Sequence, residues 1–182
     1  DRGLVDSQRA TQVLADQLGL DAESVLICST GVIGVPIPMT TLLAGLAPLV
    51  EALDDAGGDA AANAILTTDL VAKQVALELE LEGRRVRIGG MAKGSGMIHP
   101  NMATTLAYIF TDATLSNDIL GKLLKKNITN TFNAISCDGD TSTNDMATIF
   151  ATNEVKNYQV KSINENKIKN FDKALNNVLL NL

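Results

Sequence analysis

Hydrophobic positions in the first twenty residues recur with helical spacing. Ala10, Val13, Leu14 and Leu18 fall on one face, Asp6 stands where a helix cap would, and Gly19 supplies a stop. The run Ser24–Cys28 is short, apolar and partly β-branched, which predicts a buried strand ending at Ser29-Thr30-Gly31. After a loop rich in Gly and Pro comes an apolar helix from about Pro38 to Leu53. Asn63 to Thr68 again reads as a buried strand. Val75, Leu77, Leu79 and Leu81 then alternate strictly with polar or small residues, and Glu82-Gly83 turns the chain into Val86 and Ile88, the pattern of a hairpin. A glycine-rich loop, Gly89 to Gly96, leads to an alternating strand, Leu106 to Phe110. Farther on, Ser116 caps a helix to about Asn130, Asn133–Cys137 reads as a strand, Asp138-Gly139-Asp140-Thr141 turns into a helix from about Ser142, and a last helix runs from about Asn170 to Leu180. Helices and strands come in batches with hairpin pairing in the middle. The predicted class is therefore α/β with mixed or antiparallel sheets layered with helices, rather than a βαβ repeat.

Composition narrows the possible partners. With 182 residues and 46% hydrophobic content the chain can bury a core of its own. Its formal net charge of −6 lacks the basic footprint that nucleic acids or anionic membranes attract, so neither is expected as a partner. The most apolar stretch, Ile37 to Leu53, is interrupted by Thr40, Thr41, Gly45, Pro48 and Glu51, which argues against a membrane span. Cys28 and Cys137 form no CxxC pattern, so neither a metal site nor a disulfide is suggested, in keeping with a reducing cytoplasm. No basic start with an apolar run precedes the first helix, and the chain is expected to begin mid-protein. Charge also divides the chain. Residues 1–103 carry 7 basic and 13 acidic side chains while 104–182 carry 8 of each, which marks two segments of different character.

The chemistry concentrates around Gly89–Gly96. A phosphate cradle needs its lysine followed by Ser or Thr at the opening of a helix, whereas Lys93 is followed by Gly94 and then by a strand, so nucleotide binding is set aside. A turn requiring positive φ at several glycines is the simpler expectation. His99 is the only histidine, and as a loop residue before Pro100 it is expected to bond to backbone rather than to catalyse. A nucleophile here must find its base elsewhere. A threonine at a chain N-terminus can use its own α-amino group, whose unperturbed pKa of about 8 lies near neutrality. Asp138–Asp145 is acidic enough to suggest calcium but lacks the spaced ligands and terminal Glu of a calcium loop, leaving a turn and helix cap as the expectation.

Three segments in one order carry a resemblance. They are Ser29-Thr30-Gly31-Val32-Ile33-Gly34, the run from Lys93-Gly94-Ser95-Gly96 through His99-Pro100-Asn101-Met102-Ala103-Thr104, and Asp138-Gly139-Asp140-Thr141-Ser142-Thr143-Asn144-Asp145. Together they closely resemble the ornithine acetyltransferase family, also called bifunctional glutamate N-acetyltransferase, of arginine biosynthesis. The resemblance implies a self-cleaving threonine-nucleophile architecture of αββα type. Cleavage would fall at Ala103-Thr104, dividing an α portion, 1–103, from a β portion, 104–182. Thr104 would be the nucleophile, moving acetyl from N-acetylornithine to glutamate through an acetyl-threonine intermediate. Thr30 and Gly31 would form the oxyanion hole, and Lys93 and Thr67, with Thr68 the adjacent alternative, would contact substrate together with Thr104. The resemblance further implies small-molecule substrates, a homo-oligomer of αβ units, no metal and no cofactor, with acetyl-coenzyme A open as an alternative acetyl donor.

The chain also departs from the family pattern. Thr105 stands where the family has a methionine after the nucleophile, and the acidic Gly-Glu-Gly segment that follows the last helix in the family is not present. The resemblance thus covers the middle of the family pattern. Two other readings stay open: a related threonine-nucleophile aminopeptidase or amidohydrolase that passes its acyl group to water, and a catalytically silent fragment.

Overall fold

The computed structural model describes residues 2–99 and 105–182. These fall into two compact units, 1–60 and 61–182. In the first unit α1 (Arg2–Leu18) packs with α2 (Met39–Glu51). The helix α1 begins before Asp6, which lies inside it and pairs with Arg2 at 3.5 Å rather than capping it. Its most buried positions are Ala10 and Ala15. Gly19 at φ +67° ends the helix, with the Leu20 N–H returning to the Ala15 carbonyl at 2.9 Å. The strand expected at Ser24–Cys28 is absent: Ala22–Ser24 is a 3-10 turn, residues 25–30 have no regular structure, and Leu26 is 65% exposed. A strand requires a ladder partner, and the four strands among the described residues all lie in the second unit. A short helix, α3 (Gly58–Ala64), spans the join. It occupies the start of the stretch expected as a strand at Asn63–Thr68, because the alanine-rich run Asp59–Ala64 favours helix, and the residues after it, Ile65 to Thr68, form a turn and bends rather than a strand.

The second unit is built on one sheet, ordered β1 (Lys73–Leu81), β2 (Arg84–Lys93), β3 (Leu106–Ala113), β4 (Met146–Val155). The first three strands are antiparallel neighbours and β4 runs parallel to β3, so the sheet is mixed, as the sequence predicts. The β1–β2 hairpin turns on Glu82 and Gly83, both with positive φ (51° and 71°), the requirement of a two-residue loop whose twist matches its strands. Two helices, α4 (Asn117–Ile128) and α5 (Lys169–Asn181), pack on the sheet. Ser116 caps α4, its hydroxyl accepting the Ile119 N–H. The core joins Ile119, Leu123, Phe171, Leu175 and Val178 of the helices to Leu81, Val86, Ile88 and Ile109 of the strands. Each such side chain contributes about 1.5–3 kcal/mol by leaving water.

Two elements differ from expectation on the far side of α4. Asn133–Cys137 is not a strand, since Phe132–Ala134 forms a 3-10 turn and residues 135–145 have no regular structure. No helix starts at Ser142, and β4 begins at Met146 instead. The Thr148-Ile149-Phe150 run favours strand, and its ladder partner is a strand some 40 residues earlier. Among the described residues no helix is long and apolar enough to cross a membrane. No group of three or more His, Cys, Asp or Glu side chains among them is placed to hold a metal ion.

Candidate active site

The glycine-rich segment is mostly strand. Gly89 and Gly90 lie inside β2, where their lack of a side chain answers a close approach rather than a turn: a Cβ on Gly90 would stand 2.5 Å from the Tyr108 carbonyl oxygen, and one on Gly89 2.9 Å from that of Val75. Of the segment's glycines only Gly94 has a positive φ, 151°, and there the chain leaves the sheet. Lys93, the last residue of β2, is paired with Leu106 and is 1% exposed. Burial pushes its ammonium pKa below the ordinary lysine value, while the charges of Asp69 and Asp145 oppose that shift and Lys73 adds to it.

Asp69 ties this strand end to the segment containing Thr67 and Thr68. Its side chain has no exposed surface, and it accepts the Gly94 N–H at 2.7 Å, the Lys73 ammonium, and the Thr67 N–H at 3.5 Å. Lys73 also donates to the Gly94 carbonyl at 3.1 Å, so both the N–H and the C=O of Gly94 are held. Burial alone would raise the Asp69 carboxyl, but the hydrogen bonds from Lys73 and Gly94, the Lys73 charge and the Thr67 N–H outweigh it and hold its pKa below the usual range. One residue on, the Thr68 and Ser95 hydroxyl oxygens are 2.6 Å apart. Thr67 is exposed beside this network.

The acidic segment is neither a helix cap nor a plain turn. The Asp138 carboxylate accepts the Met97 N–H at 2.6 Å through Oδ2 and the Ile98 N–H at 3.0 Å through Oδ1, and these donors hold its pKa below the ordinary value. The Cys137 N–H donates to the Ile98 carbonyl at 2.7 Å, and the Cys137 thiol to the Ser95 carbonyl at 3.2 Å. At the far end, Asp145 Oδ1 accepts the Thr105 N–H at 2.7 Å, and the Met146 N–H donates to the Thr105 carbonyl at 2.9 Å. Burial raises the Asp145 carboxyl, against the pull of the Thr105 N–H and the Lys93 charge.

The structure therefore brings Lys93 together with the Thr67–Asp69 segment. Ala103 and Thr104 lie outside the described residues. Thr30, half-buried, and Gly31, exposed, lie in the irregular stretch of the first unit rather than at a strand end. His99 is exposed. Asp69, Asp138 and Asp145 are not among the sites named from sequence, although Asp138 and Asp145 close the two ends of its third motif.

The ArgJ family model matches residues 1–182. The chain belongs to the ArgJ family. It is 68% identical over 154 residues to the arginine biosynthesis bifunctional protein ArgJ of Parasynechococcus marenigrum (strain WH8102), covering 85% of this chain and 38% of that protein. To the ArgJ protein of Synechocystis sp. it is 47% identical over 168 residues, covering 92% and 41%. It thus spans about two fifths of the length of these curated ArgJ relatives. The crystal structure of ArgJ from Bacillus halodurans aligns with a TM-score of 0.50 at 40% identity, covering 57% of this chain and 54% of that one. The resemblance drawn from the three motifs is thereby a shown membership, in an ArgJ fold of mixed α/β class.

Proposed function

We propose that the chain carries the self-cleaving, acetyl-transferring centre of an arginine-biosynthesis acyltransferase. One observation carries this reading. In a chain matched over residues 1–182 by the ArgJ family, a buried lysine closes β2, the glycine after it is anchored by Asp69, and the Ala103-Thr104 bond follows ten residues on in sequence. In cleavage, the Thr104 hydroxyl oxygen attacks the Ala103 carbonyl carbon, the peptide C–N bond breaks, and the acyl group moves to oxygen while the nitrogen becomes a free amine. Water then hydrolyses the ester and leaves Thr104 as a chain N-terminus. β2 and β3 lie on either side of this bond in sequence and are paired neighbours in one sheet, so an α portion, 1–103, and a β portion, 104–182, stay joined by the ladder.

In transfer, the Thr104 amine accepts the hydroxyl proton as oxygen attacks the acetyl carbon of N-acetylornithine. Ornithine departs with a proton on its nitrogen, and the glutamate amine then takes the acetyl group from threonine. Thr30 and Gly31 supply a hydroxyl and an N–H for the developing oxyanion. Lys93 supplies positive charge for a substrate carboxylate. The pairing of the Thr68 hydroxyl with Ser95 supports Thr67 over Thr68 as the substrate contact. Acetyl-coenzyme A is a second donor to test, and the assembly is a homo-oligomer of αβ units in the cytoplasm.

Intact-mass measurement of the purified chain tests the nucleophile. Pieces corresponding to 1–103 and 104–182 are expected, with Thr104→Ala remaining whole; an uncut wild type would identify a silent fragment. Supplying N-acetylornithine with glutamate, or with water alone, separates transferase from hydrolase, since a hydrolase would release acetate at the same rate without glutamate.

A further inference from the structure

The bond proposed for cleavage is bracketed in sequence by two residues that are held in the same way. Ile98 gives its N–H to the Asp138 carboxylate and receives the Cys137 N–H at its carbonyl. Thr105 gives its N–H to the Asp145 carboxylate and receives the Met146 N–H at its carbonyl. Each flank thus has both backbone groups of one residue bound to the same short segment, 137–146, by one charge-assisted and one neutral hydrogen bond. That segment is itself anchored. Its C-terminal end enters β4, which is laddered to β3 from Leu106 onward, and the Cys137 thiol donates to the Ser95 carbonyl.

We propose that Asp138 and Asp145 are positioning residues that hold the two flanks of the Ala103-Thr104 bond for self-cleavage, an inference that rests on the function proposed above. An N-to-O shift within one chain requires the hydroxyl oxygen to lie close to the preceding carbonyl carbon along its line of attack, and chain freedom on either side dilutes that arrangement. Fixing the N–H and C=O of Ile98 and of Thr105 restricts the chain at one residue before and one residue after the stretch that contains the bond. The two carboxylates do this differently. Asp138 uses both oxygens, Oδ2 for Met97 and Oδ1 for Ile98, whereas the bond from Asp145 to Thr105 uses Oδ1.

That difference makes the test specific. An asparagine at 145 keeps an oxygen for the Thr105 N–H. At 138 it necessarily turns an NH2 group toward one of two N–H donors. Cleavage of the wild-type chain and of D138A, D138N, D145A and D145N is followed by intact mass against time after synthesis, with thermal melting recorded by tyrosine fluorescence. The expected result is a slowing of about tenfold or more in D138A, D138N and D145A, near wild-type cleavage in D145N, and melting transitions retained in all four. Wild-type rates in the alanine variants, a D145N as slow as D145A, or slowing accompanied by loss of the melting transition would each overturn the positioning role. A wild-type chain that never cleaves would instead overturn the proposed function, and this inference with it.

Discussion

Asp69 has no exposed surface and takes donors from Lys73, Gly94 and Thr67. Alanine there would strand the Gly94 N–H and leave Lys73, itself only part-exposed, without its carboxylate. We expect Asp69→Ala to cost roughly 2–3 kcal/mol, below the range for a wholly buried pair because water reaches Lys73. Urea denaturation would show it as a lower midpoint at unchanged slope, and an unaltered midpoint would mean that the network does not hold the strand end. Little of this was legible from sequence. Thr67 and Lys93 could be named from the family pattern, but Asp69 two residues after Thr67 is an ordinary acidic residue until folding places Gly94 against it. Lys93 shows the same limit: it lies within a glycine-rich run that reads as a loop, yet it ends a strand and is buried. The Asp138–Asp145 run reads as a turn and cap because its acceptors serve N–H groups about 40 residues away.

At the scale of elements, legibility followed the range of the interactions. The β1–β2 hairpin was readable because its alternation, its Glu82-Gly83 turn and its pairing are all local; α4 was readable from its Ser116 cap, and the last helix, expected from about Asn170 to Leu180, forms as α5 without a side-chain cap. β4 was not, since its parallel partner is distant in sequence, and Ser24–Cys28 has the composition of a strand without a ladder to join. Glycine gives a test of the same distinction between local and tertiary demands. Gly90 sits where a Cβ would meet the Tyr108 backbone oxygen at 2.5 Å, so Gly90→Ala must push β2 from β3 and is expected to destabilise by about 2–4 kcal/mol. Gly121 lies on the exposed face of α4 with nothing within 4 Å, and Gly121→Ala should stabilise by about 0.5–1 kcal/mol through helix propensity alone. Chemical denaturation of the two variants should move the midpoint in opposite directions; a tolerated Gly90→Ala would show that the strands have slack at that point.

For the molecule as a whole, the charged groups around the proposed cleavage segment make stability depend on pH in two opposed ways. Asp69 and Asp138 have folded pKa values below the ordinary 3.8, because the folded state supplies donors to their ionised forms. Their contribution is fully present above about 3.8 and is lost as pH falls through the folded values. Asp145 is the reverse. Its folded pKa lies above 3.8, so folding disfavours its ionised form at neutral pH, and that penalty is lifted as pH falls from its folded pKa toward 3.8. Acidification should therefore leave stability level or slightly improved until about pH 4 and reduce it below. Both tyrosines, Tyr108 and Tyr158, lie in the second unit, and there is no tryptophan, so tyrosine fluorescence follows that unit alone. The same opposition fixes an order of events at single amides. As pH is lowered, the Thr105 N–H, held by Asp145, should titrate first, with a midpoint above 3.8, whereas the Met97, Ile98 and Gly94 N–H groups, held by Asp138 and Asp69, should titrate later, with midpoints below it. Amide chemical shifts followed by NMR across pH 7 to 2 would read this order directly. Coincident midpoints would mean that the carboxylates at the two ends of segment 138–145 do not feel the different surroundings this fold gives them.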